Sequence, residues 1–207
     1  AGTVRAEANN ALGATSGIEL DADTATLEVA DGVDIDRDLS APNVTGTETR
    51  SLTFLGTSGN TWSGGISSAD EAQEDVFINV ADAANTVTIS GAISGAGELA
   101  KSGPGTLVLT NTGNSLGQEF RVTGGTLRIG ATGADTGGNG FELRETSTLD
   151  LASGVTVASA MVISNDGLAA DEKTVSLASG TGTYSGAISI EEQDAGDFNV
   201  SAPATGV

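Results

Sequence analysis

The stretch "EVADGVDIDRDLS", Glu28 to Ser40, places Asp31, Asp34, Asp36 and Asp38 within eight residues. In an extended strand Asp34, Asp36 and Asp38 point to one face, two residues apart. Three like charges in a row repel unless Arg37, Arg50 or a cation relieves them. Calcium, which takes oxygen ligands, suits clustered carboxylates. Outward acids also suit cleavage of a glycan, which works through a pair of carboxyl groups. Beside both chemistries stands the plainer reading of a solvated acidic face. The later stretch "SGVTVASAM" repeats the pattern around these residues but has lost every acid, so either chemistry would belong to one part of the chain.

Other chemistries are closed by composition. The chain has neither His nor Cys, which removes the commonest general base, thiolate nucleophiles and Cys-ligated zinc. A Ser–Lys dyad would draw on Lys101 or Lys173, but Lys101 lies in a glycine-rich structural stretch and Lys173 in the polar "GLAADEKT". No phosphate loop of the GxxxxGK[ST] form occurs, and "GGNGFEL" has Phe141 where a calcium-binding nonapeptide needs aspartate. Eight basic residues against 28 acidic ones give a net charge of −20, which excludes nucleic acid and anionic membrane surfaces as partners. No apolar run approaches the ~20 residues of a membrane span. The chain therefore reads as a non-enzyme without a cofactor, calcium being the one ligand its acids suggest.

The elements that carry these residues repeat. "GTVRAEANNALGATSGIEL" (Gly2–Leu20) returns as "GTLRIGATGADTGGNGFEL" (Gly125–Leu143), and "TATLEVADGVDI" (Thr24–Ile35) as "TSTLDLASGVTV" (Thr146–Val157). "NTWSGGIS" (Asn60–Ser67) returns as "GTYSGAIS" (Gly182–Ser189), and "FINVADAANTV" (Phe77–Val87) as "FNVSAPATGV" (Phe198–Val207). Order is kept at an offset of 121 to 123 residues. The pairs Trp62/Tyr184, Phe77/Phe198 and Ile18/Phe141 read as layer-filling positions. The 207 residues form one continuous unit with an internal repeat over 2–124 and an incomplete one over 125–207.

Within each repeat come pulses such as "TLEVA", "SLTFL", "TVTIS", "TLVLT" and "TLRIG", alternating apolar and polar residues between glycines and asparagines. No stretch keeps an apolar 3.6-residue period. Such short strands cannot bury one face alone; stacked coils make the core continuous. Small residues suit a narrow interior, and glycine suits corners with φ > 0. These features predict an all-β parallel β-solenoid with short Gly/Asn-rich turns. Two acidic excursions leave it, "SSADEAQED" (Ser67–Asp75, a loop with at most one helical turn) and "IEEQDAGD" (Ile190–Asp197).

The segment "GAGELAKSGPGTLVLTNTGNSLGQEFRVTGGTLRIG" resembles the passenger-associated repeat of bacterial autotransporters. The resemblance is carried by Gly95, Gly97, Leu99, Lys101, Gly103, Gly105, Thr106 and Leu107, by Asn114 and Gly117, and by Gly124, Gly125, Thr126 and Leu127. It implies a right-handed parallel β-helix outside the cell, on a bacterial surface. It specifies architecture rather than activity, since such solenoids carry adhesins, proteases and stalks alike.

At the two ends, Gly2, Thr3 and Val4, and Val200 and Val207, are expected to leave strand edges and the apolar channel open. The partner expected there is a flanking repeat of the same chain, or another copy stacked head to tail; the remaining alternative is that irregular end segments such as "SAPATGV" do the capping. The function expected is structural or adhesive, with host or cell-surface glycans as partners. The opposing expectation is a glycan-binding or glycan-cleaving β-helix, marked by an exposed aromatic beside carboxylates in a groove.

Overall fold

A computed structural model describes residues 2–13, 17–22, 24–42, 49–69, 74–136, 139–164, 171–177, 181–191 and 197–201. Among the described residues there is no helix, and every strand pairing is parallel. The chain winds as a solenoid whose coils each lay one short strand on each of up to three faces.

Gly2–Ala6, Ala25–Val29, Arg50–Phe54, Glu74–Val80, Glu98–Ser102, Phe120–Val122, Phe141–Leu143, Met161–Ile163 and Ile188–Ile190 stack into a nine-stranded face. Asn60–Trp62, Thr86–Ile89, Thr106–Leu109, Gly125–Ile129, Ser147–Leu151, Glu172–Leu177 and Asp197–Ser201 make a seven-stranded face. Ile18–Glu19, Leu39–Ala41, Ile66–Ser68, Ile93–Gly95 and Ser115–Leu116 make a five-stranded one, and Thr156–Val157 pairs with Thr183–Tyr184 further along.

The two-residue alternation sorts side chains into columns along the axis. On the nine-stranded face Val4, Leu27, Leu52, Ile78, Lys101, Val122, Leu143, Ile163 and Ile190 stand in register. On the seven-stranded face Val87, Leu107, Leu127, Leu149, Val175 and Val200 do the same. These columns are buried except at their ends, where Val4 is 60%, Ile190 59% and Val200 74% exposed. Each buried aliphatic side chain is worth roughly 1.5–3 kcal/mol, and like residues in adjacent coils fill a narrow channel together with the buried rings of Phe54, Trp62, Phe120 and Phe141.

The repeat and the coil are out of phase. On the nine-stranded face five strands follow Gly2–Ala6, the last being Phe120–Val122; the counterpart of Gly2–Ala6, Gly125–Ile129, then opens on the seven-stranded face. Ala25–Val29 and Ser147–Leu151 are displaced in the same way, and Ile66–Ser68 of the five-stranded face has Ile188–Ile190 of the nine-stranded face as its match. The second unit is thus advanced by five coils and one face.

Register corrects one sequence pairing. Arg50 and Lys173 are matched positions, both buried, and they pair with Val76 and Phe198 respectively. Phe198 therefore occupies the place of Val76, while Phe77 pairs with Ser51 on the outward side and corresponds to Asn199. The acidic excursions are also shorter than expected. Ser67 and Ser68 belong to a strand paired with Ser94 and Gly95, a strand begins again at Glu74, and Ile190 and Asp197 are strand residues too. Residues 70–73 and 192–196 lie outside the described residues.

Candidate functional site

The aspartate row sits on a turn between faces, where buried Val33, Ile35 and Leu39 alternate with exposed Asp34, Asp36 and Asp38. The carboxylates are directed at the next coil. Asp31 Oδ1 accepts from the N–H groups of Thr57 (2.8 Å) and Ser58 (2.7 Å), and its Oδ2 accepts from the Ser58 hydroxyl at 2.9 Å. Asp34 Oδ1 accepts from Thr61 N–H at 2.8 Å, and Asp38 Oδ1 from Gly65 N–H at 2.7 Å. Asp36 pairs with Arg37 Nη1 at 2.8 Å. The Ser58 N–H, followed by its hydroxyl, holds the Asp31 carboxyl below the usual carboxylate range. Among the described residues no three His, Cys, Asp or Glu side chains form a group that could hold a metal ion. The row does structural work: it supplies acceptors for backbone donors that strand pairing leaves over at a corner.

Lys101 stands inside the core column between Ile78 and Val122 and is fully buried. Its ammonium donates to the carbonyls of Ser102 (3.0 Å), Gly103 (2.7 Å) and Gly124 (2.8 Å), three acceptors for three donors. Burial pushes it down to about 7. The corner depends on glycine. Gly103 (φ +76°) and Gly125 (φ +62°) are left-handed, and a Cβ on Gly125 would collide with the Gly103 carbonyl. Lys101 and the glycines of the repeat motif are thus one device, a cation tying two successive corners. Leu99, Leu107 and Leu127 of the motif point inward, Thr106 and Thr126 outward, and Gly95 turns with φ +117°.

Lys173 is buried with its ammonium 3.9 Å from Asp171. Trp62 is fully buried, edge-on to Phe54 at 6.3 Å between ring centres. Tyr184 donates its hydroxyl to the Ser159 carbonyl at 2.6 Å; burial, and then Asp135, push it up to about 12. Gly2, Thr3, Val4 and Val200 are exposed at the two ends, and Val207 lies outside the described residues.

Two surface features were not apparent in the sequence. The first is a ladder of ion pairs across the nine-stranded face: Arg121 bridges Glu98 (2.6 Å) and Glu142 (2.7 Å), and Arg144 reaches Glu142 at 2.8 Å. Burial raises Glu142, but the bonds and charges of Arg144 and Arg121 outweigh it and hold the carboxyl below its ordinary value. The second is a groove where the nine- and seven-stranded faces meet, lined by Gly103, Gly125, Thr126, Thr148, Glu145 and Asp171 among others. The signal for both was the coil length. Side chains about 21 or 22 residues apart, such as Arg121 and Glu142 or Arg128 and Asp150, become neighbours.

Columns of inward aliphatic residues, glycine corners and side-chain bonds between coils define a parallel β-solenoid. The chain is similar to the adhesin BmaC autotransporter of Brucella suis biovar 1 (strain 1330), being 52% identical to it over 62 residues. The match covers 30% of this chain and 2% of that adhesin. No family model matches the chain, and no solved structure does.

Proposed function

We propose that the chain is a non-enzymatic, adhesive structural segment of an extracellular bacterial surface protein, and that its exposed apolar residues meet another copy. The observation that carries this reading is the parallel β-solenoid itself, a continuous stack of inward apolar columns beneath outward polar side chains. On the nine-stranded face the inner column runs from Val4 to Ile190 with Lys101 among its aliphatic residues, and Val4 and Ile190 are exposed. Exposed apolar side chains can serve as contact sites, and Val4 and Val200 are the residues offered here for contact with another copy. The partial likeness to an autotransporter adhesin supports the setting and the adhesive role. The aspartates that would serve catalysis are instead acceptors for the backbone of the next coil.

Two measurements test this. The isolated 207-residue chain should self-associate with rising concentration in sedimentation experiments, and Val4→Asp with Val200→Asp should abolish that association. A chain that stays monomeric at high concentration removes stacking between copies. Bacteria displaying the segment should adhere to host-derived surfaces more than bacteria lacking it; equal adherence removes the adhesive role.

A further inference from the structure

The one-face displacement of the second unit has a consequence for binding. On the nine-stranded face Thr3, Thr26 and Ser51 form an outward column, beside a second column of Arg5, Glu28 and Thr53. On the seven-stranded face Thr126, Thr148 and Thr174 form the same column, which Thr106 and Thr86 continue in the preceding coils, beside Arg128, Asp150 and Ser176. Position for position the residue types match, three hydroxyls in line and then a cation, an acid and a hydroxyl, although Asp150 is buried and bonded to Arg128 and Ser176 while Arg5 pairs with Glu7. Elsewhere the units have diverged, for Asp34, Asp36 and Asp38 are replaced by Thr156, Ala158 and Ala160.

The groove next to the second surface points the same way. Its Thr126, Thr146, Thr148, Glu145 and Asp171 have Thr3, Thr24, Thr26, Asp23 and Glu48 as sequence counterparts; Asp23 and Glu48 lie outside the described residues. The hydroxyls of Thr3, Thr26, Ser51, Thr126, Thr148 and Thr174 form no side-chain hydrogen bond with another described residue. They recur about every 4.8 Å along the axis, and each both donates and accepts.

We infer that this surface binds an uncharged polysaccharide lying along the solenoid axis, and that the chain offers it twice, on two different sides. A row of hydroxyls meets sugar hydroxyls as donor or acceptor, and the Glu145 and Asp171 carboxylates line the groove beside the second row. The acidic surroundings repel polyanions. Because the two sites face different ways, two separate glycan strands are held at once. The inference rests on the adhesive reading above and names its surface and partner class.

The test is titration of the native chain with short neutral oligosaccharides cut from dextran, mannan and galactan, read as binding stoichiometry. At least one of the three should bind at two sites per chain. The triple variant T3V/T26V/S51V and the triple variant T126V/T148V/T174V should each halve the saturating amount, and the sixfold variant should abolish binding. The corresponding alanine set, with unchanged thermal melting, guards against misfolding or aggregation of the valine set. Binding of none of the three sugars, a stoichiometry of one, or native binding by the sixfold variants overturns the inference. Bacteria that adhere while displaying the sixfold variant would sink this surface and leave the adhesive role standing; native display without adherence would sink the role itself.

Discussion

Asp34 and Thr61 lie one coil apart, and the Asp34 carboxylate accepts the Thr61 backbone N–H at 2.8 Å. The Asp34 N–H in turn donates to the Asn9 side-chain oxygen at 2.9 Å. Asn9 thus does for Asp34 what Asp34 does for Thr61, and three coils are tied by side chains beside the single bridge that pairs Ile35 with Trp62. Asp34→Ala should cost about 1 kcal/mol, a fall of roughly 2–4 °C in melting temperature. Asp34→Asn, which keeps the acceptor, should melt close to the native chain. Thermal unfolding followed by circular dichroism decides; equal loss in both variants would point to charge rather than the hydrogen bond.

The same geometry sets the response to calcium. Asp31, Asp34 and Asp38 each spend an oxygen on the next coil and Asp36 faces Arg37. Melting in EDTA and in millimolar calcium should coincide. A rise in calcium that disappears in Asp34→Asn would show that the row takes up the ion.

Lys101 gives a signature in the alkaline range. Its unfolded-state value is the ordinary 10.5 and burial lowers it to about 7 in the fold. Between these values the unfolded chain holds a proton that the folded chain has released, so this group makes stability rise with pH across that window and leaves it flat below. The slope is at most about 1.4 kcal/mol per pH unit. Lys101→Met should remove that rise, measured as denaturation midpoints between pH 6 and pH 10. Parallel profiles for the two proteins would contradict the burial argument.

Glu142 acts at the other end of the scale. Its carboxyl is held below the ordinary 4.5 against the opposing effect of burial, by Arg144 and Arg121. The stability it contributes is present above that value and is lost as pH falls through the folded one. Arg121→Gln should therefore move the acid-unfolding midpoint to higher pH. An unchanged midpoint would mean that the ladder is solvated and idle, as many surface pairs are.

The solenoid was legible because its determinants are local. A two-residue alternation, glycine corners and a repeat with fixed order need no long-range knowledge. Lys101 was legible as a motif residue, but not as a cation buried among aliphatic side chains, since nothing in "GELAKSGPG" tells which side of a strand meets the core. The aspartate row was correctly placed outward, yet its bonding depends on which residue lies one coil on. That distance varies from 20 residues between Thr106 and Thr126 to 27 between Met161 and Ile188. The same variation hid the groove, the Arg121–Glu142 ladder and the one-face displacement of the second unit. It also made Phe77 and Phe198 look equivalent, because "FINV" and "FNVS" differ by a residue and a one-residue slip turns a side chain to the other face of a strand.

The backbone ladders have one more property. Strands pair with their counterparts in the coils before and after, so the hydrogen bonds lie along the solenoid axis and a pull on the two ends loads them in that direction. Such a load is met by one rung at a time, from an end inward. A coil of 20 to 27 residues that lets go changes from about 4.8 Å of axial rise to an extended length, releasing roughly 60–90 Å of slack. Under tension the segment would pay out in discrete steps and shed load before the next rung yields, as a tether does between a cell and a surface in flow.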